Sequence, residues 1–121
     1  KKTEKDSTKM PLSGGTFTGS VTFEDAINEN VYAITDGNAA LDPDNGTIQT
    51  WTLGANRTAS DSLSDGQSML LVITAGSNQL TFPTTTWAGG TAPTLSTSKP
   101  TAIEFWKIGT TLYGANVGDL G

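Results

Sequence analysis

The sequence predicts an all-β protein, a small antiparallel β-sandwich or partly open barrel preceded by an extended N-terminal arm. Three observations carry that expectation. Thr is the commonest residue, with Gly and Ser abundant; Thr suits a pleated surface, and Gly and Ser suit turns. Apolar residues recur at every second position over short segments, the period of a half-buried strand. Those segments are separated by Gly- and Asn-containing turn signals, the spacing of an all-β domain. The division that follows is a flexible arm over residues 1–11, a linker strand over residues 12–23 and a β-sandwich module over residues 24–121.

The arm opens Lys-Lys-Thr-Glu-Lys-Asp-Ser-Thr-Lys-Met, with one apolar residue in ten. Such a segment cannot bury enough surface to offset the entropy of ordering it. Two readings stay open, a frayed end or a tether that orders against a neighbouring chain. Ser13-Gly14-Gly15 is a loop signal. From Phe17 the apolar residues Phe17, Val21 and Phe23 alternate with Thr18, Ser20 and Thr22, which reads as a strand; Gly19 interrupts its face and suits a bulge or a close backbone approach.

Beyond an acidic stretch at residues 24–30, Val31 to Thr35 reads as a strand ended by Asp36-Gly37. A loop leads to Asn45-Gly46, a tight-turn pair. Thr47 to Leu53 is a strand with Trp51 and Leu53 on one face. Residues 54–66 read as an irregular polar connection. Gln67 to Thr74 holds the longest apolar run, which predicts a strand covered on both faces. Gln79 to Phe82 is expected to return beside it as a hairpin closed by Pro83. Thr84 to Leu95 reads as a long loop, with Gly89-Gly90 and the flanking prolines opposing regular structure. Ala102 to Ile108 is a strand with Ile103 and Phe105 on one face and Trp106 and Ile108 on the other, one face for the core and one for a second sheet or subunit. Gly109 to Thr111 turns the chain, and Leu112 to Val117 pairs back.

Composition excludes several function classes. The chain of 121 residues has no Cys and no His, which removes disulfides, thiolate metal sites and the commonest general base. Four of seven basic residues lie in the first nine positions; from residue 10 onward Arg57, Lys99 and Lys107 face ten acidic residues. An acidic body repels phosphate backbones, so no nucleic-acid partner is expected. No apolar run reaches the ~20 residues that span a bilayer, so no membrane insertion is expected. Asp42-Pro43-Asp44-Asn45-Gly46 departs from a calcium loop because its glycine comes one position early and Leu53 stands where a bidentate Glu is required. It reads instead as a hairpin turn. No metal, cofactor or catalytic residue is expected.

Pro11-Leu12-Ser13-Gly14-Gly15-Thr16-Phe17-Thr18-Gly19 closely resembles the Leu-Ser-Gly-Gly-Thr-Met-Thr-Gly element that recurs in tail-fibre and related fibrous structural proteins of bacteriophages, with Phe17 in place of the usual Met. The runs Thr47 to Leu53, Asp65 to Leu71, Trp87 to Leu95 and Ile103 to Ala115 look, in that order, like the C-terminal module of such proteins. The resemblance implies a homotrimeric structural protein of the virion surface, on tail or capsid, that contacts other virion proteins and a glycan or protein of the host surface. Oligomerisation also has a physical motive, because a thin β module leaves apolar faces and sheet edges uncovered.

Within that reading, Leu12, Phe17, Val21 and Phe23 are the expected subunit contacts. Trp87 and Tyr113 are the candidates to stack on a sugar ring, the other reading being that both are structural. A capsid decoration protein is the alternative function. A carbohydrate-binding module or glycan depolymerase fragment is the weaker one, since paired carboxylates would have to come from Asp36, Asp42, Asp44, Asp61 and Asp65, residues that usually serve turns.

Overall fold

A computed structural model describes residues 11–121; the arm expected over residues 1–11 lies, but for Pro11, outside the described residues. Ten strands form: β1 (Val31–Ala33), β2 (Ala40–Leu41), β3 (Ile48–Thr52), β4 (Arg57–Thr58), β5 (Ser60–Asp61), β6 (Ser68–Thr74), β7 (Leu80–Thr81), β8 (Thr86–Trp87), β9 (Thr101–Ile108) and β10 (Thr111–Asp119). The fold is all-β, as expected. Its main sheet has six strands in the order β1-β3-β6-β9-β10-β8, and two further ladders pair β2 with β5 and β4 with β7.

Antiparallel pairing, expected throughout, is confined to β9 with its neighbours β6 and β10. All other pairs are parallel. Val31 lies beside Ile48 and Ile48 beside Leu70; Ala40 lies beside Ser60 and Arg57 beside Leu80. Each partner follows by roughly one circuit of the chain, so residues 31–81 wind as successive coils stacked on three ladders. The antiparallel β9–β10 hairpin then covers the last coil along the main sheet. Parallel neighbours need a crossover, and the turns between coils supply it.

Two local expectations change for this reason. β6 and β7 do not form a hairpin, because Gly76 and Asn78 carry the chain round a corner onto a different ladder, where β7 meets β4. The Asp42 to Gly46 turn is not a hairpin either: it is a short 3-10 turn in which the Asp42 carboxylate caps the Asp44 N–H at 3.0 Å, and it links β2 to β3 across a corner. The connections expected to be irregular also contribute short strands, β4 and β5 before β6, and β8 after β7.

The core lies inside the coils. Trp51 of β3, Met69, Leu71 and Ile73 of β6, Ile103 and Phe105 of β9 and Leu112 of β10 point inward with Leu41, Leu53, Leu63 and Leu80. Fully burying one such aliphatic or Phe side chain is worth roughly 1.5–3 kcal/mol. β6 alternates between buried and half-buried positions, so its apolar run is fully covered on one face and only partly covered on the other. Leu70 and Val72 point outward with Ile48, Glu104, Trp106, Tyr113 and Ala115, which neighbour one another through the strand register.

Residues 12–23, expected as a strand, have no ladder partner among the described residues; a turn bond joins the Gly14 N–H to the Pro11 C=O at 3.0 Å. A strand requires a partner for its backbone, and the coils begin only at Val31.

Candidate functional site

The surfaces open to a partner are the outer face of the main sheet, the extended segment before β1 and a groove beside β7. On the outer face, Gly109 takes a φ of 62° in the β9–β10 turn. That turn fixes the register, with Ile108 opposite Thr111 and Trp106 opposite Tyr113. Trp106 and Tyr113 consequently stack, ring centroids 5.9 Å apart and planes within 12°. Tyr113, a candidate from sequence, is therefore half of an aromatic pair. Trp106 is absent from the candidates that the sequence offers, yet the short turn dictates that it lies across from Tyr113.

Trp87 belongs to the other side of the sheet. It is half-buried, edge-on to Phe82 at 5.0 Å and tilted against Phe105 at 5.7 Å. Its ring lies over Gly114, where an added Cβ would stand 2.6 Å from Cζ3. The two glycan candidates thus sit on opposite faces of β10 and are not brought into one site.

Glu104 lies in the outer row between Leu70 and Ala115. Burial and the nearby charge of Glu29 push its carboxyl up from the usual value.

The loop carboxylates serve the backbone and the core. Asp36 accepts from Trp51 Nε1 at 3.1 Å, from the Gly54 N–H at 2.9 Å and from Arg57 through both oxygens. These donors hold its carboxyl well below the usual carboxylate range, the Arg57 bond first. Asp61 accepts from the Leu63 N–H and pairs with Lys107 Nζ at 2.5 Å. Asp44 accepts from Gln67, and Asp65 from the Gly109 N–H. Among the described residues no group of three or more His, Cys, Asp and Glu side chains is placed to hold a metal ion, and no helix is long and apolar enough to cross a membrane.

The sequence-predicted contact residues Leu12, Phe17, Val21 and Phe23 are all exposed, as are Ile27 and Val31 further along. The segment is joined to the body at its end, where Thr47 Oγ1 donates to Glu29 at 2.7 Å and Asn30 Nδ2 donates to the Asn45 carbonyl at 2.8 Å.

A groove of about 380 Å³ runs beside β7, lined by Asn78, Gln79, Leu80, Phe82, Pro93 and Leu95 among others. A second, of about 410 Å³, is lined mainly by Thr84, Thr86, Thr110 and Thr111, with Asp61 at its side. Comparison with protein-family models, with curated proteins and with solved structures gave no match.

Proposed function

We propose that this chain is a non-enzymatic structural module of a virion appendage, a tail or head fibre, that assembles as a homotrimer and presents its β body to the host surface. The observation that carries the reading is the segment before β1. Leu12, Phe17, Val21 and Phe23 stand exposed in a segment outside every ladder of the described residues, and they lie in or just after the Leu-Ser-Gly-Gly-Thr-x-Thr-Gly-like element. Exposed aromatic residues on a backbone without ladder partners among the described residues mark an interaction surface, and a second copy would cover them. The loop carboxylates add support, since each that a glycan hydrolase would recruit is engaged in holding turns or coils. The paired Trp106 and Tyr113 rings offer a flat surface of the kind that stacks on a sugar.

Light scattering on the full chain, and on a chain lacking residues 1–23, tests the proposal. The expected result is a particle of three times 12.6 kDa that dissociates on deletion. A well-folded monomer at all concentrations would remove its physical basis and leave the capsid decoration reading, in which assembly needs the capsid lattice.

A further inference from the structure

The extended segment and the groove beside β7 lack what the other has. Among the described residues β7 pairs only with β4, which leaves its other edge open. The carbonyls of Gln79 and Thr81 accept from Arg57 and Ala59 N–H groups of the neighbouring coil, at 2.9 Å each. Backbone groups alternate in direction along a strand, so the N–H and C=O of Leu80 face the groove. Phe82, Pro93 and Leu95, with the accessible rim of the core residue Leu80, give that groove an apolar lining, and none of its lining residues is charged. The stretch Phe17 to Phe23 is equally uncharged and carries Val21 and Phe23 two positions apart. Leu80 and Phe82 have the same separation, about 6.8 Å along an extended backbone.

We propose that residues 19–23 of one copy add as a strand to the free edge of β7 in a second copy, seating Val21 and Phe23 in the groove against Leu80 and Phe82. Strand addition satisfies the backbone of both partners, while alternate side chains give register and specificity. Gly19 at its start allows close approach of the receiving backbone. Pro83 limits the ladder, because it has no N–H to offer.

A second copy is favoured over the chain's own segment by position. Glu29 and Asn30 tie the segment to the first coil, through Thr47 and Asn45, whereas β7 is the outermost strand of its ladder at the last coil. The contact joins two different surfaces and closes into a ring where the rotation between copies permits. The inference rests on the reading that copies of the chain assemble.

The chain has no cysteine, which makes cross-linking clean. Thr22 and Thr81 are exposed and would lie opposite each other in the added ladder, within disulfide reach. One full-length preparation carries Thr22→Cys and another Thr81→Cys; the two are refolded together and oxidised. The expected product is a mixed dimer of twice 12.6 kDa, at least about tenfold more abundant than either self-linked dimer. It should be lost when Val21→Ser and Phe23→Ser are added to the Thr22→Cys chain. A mixed dimer no more abundant than the self-linked ones overturns the placement. So does a chain carrying both cysteines that closes an internal disulfide at monomer mass. Light scattering on the unmodified chain separates the two levels: an oligomer without the mixed cross-link overturns only the placement, whereas a monomer overturns assembly as well.

Discussion

Asp36 and Arg57 clamp the first coil to the second. Arg57 Nη2 lies 2.7 Å from Asp36 Oδ2 and Arg57 Nε 3.1 Å from Oδ1, a two-pronged ion pair. The same carboxylate holds the indole N–H of the buried Trp51 and the Gly54 N–H, and a Cβ at Gly54 would stand 2.8 Å from Asp36 Oδ2.

Asp36 therefore contributes to the acid limb of stability. Its carboxyl is held below its unfolded value, so the stabilisation is fully present above pH of about 4 and is lost as the pH falls through the folded value. Asp36→Asn should be less stable than the parent at pH 7 and lose less on acidification. Thermal midpoints at pH 7 and pH 3 measure both. Equal acid sensitivity of parent and variant would remove Asp36 as the source.

Glu104 acts with the opposite sign. Burial and Glu29 raise its carboxyl, so its ionisation opposes folding, and stability falls as the pH rises through that raised value. Glu104→Gln should be more stable than the parent at pH 8, with the difference shrinking toward pH 4. Chemical denaturation at the two pH values checks the crossing, and a variant less stable at pH 8 would refute it.

Gly114→Ala should cost about 1–3 kcal/mol through overpacking, because the new methyl meets Trp87 Cζ3 at 2.6 Å and Thr85 Cγ2 at 3.0 Å. Adding Trp87→Leu should recover part of that loss in urea unfolding. A double variant with strictly additive losses would show that the two residues do not press on each other.

Phe105 and Trp106 are sequence neighbours on opposite faces. Phe105→Ala should cost about 3–5 kcal/mol, the range for a buried Phe, since Phe105 is fully buried. Trp106→Ala should cost far less, because its half-exposed ring gives up mainly its stack on Tyr113. Similar losses in urea would mean that the outer face is covered.

The strands beyond Val31 were legible in outline because period-two patterning marks a half-buried strand whatever it pairs with. The pairing of Trp51 with Leu53, and of Ile103 with Phe105, on shared faces follows from that period alone, whereas which face turns inward is fixed by the coils. Partner choice was not legible. Gln79 to Phe82 follows Gln67 to Thr74 after a short turn, which in sequence looks like a hairpin; only the corner at Gly76 and Asn78 sends β7 to β4. The coil repeat is hidden for a related reason. Offsets between laddered residues drift from 17 at Val31–Ile48 to 23 at Arg57–Leu80, so no fixed period appears in the residues. At the candidate site, Tyr113 stands out in the sequence as an aromatic near the C-terminus, and its partner Trp106 required the register of the β9–β10 turn. The groove beside β7 draws on residues 77–97, two segments whose meeting no local pattern announces.

The β9–β10 hairpin has a kinetic consequence. Its strands are joined by a short turn and can zip within microseconds, whereas each coil must first close a circuit of about twenty residues for a parallel ladder. Refolding should therefore begin at residues 101–119 and propagate backward through β6, β3 and β1. During synthesis that seed is made after the coils it templates, so nascent β6 waits with one backbone edge unpaired until β9 leaves the ribosome. Substitutions in the hairpin should slow folding, while those in the first coil should chiefly speed unfolding.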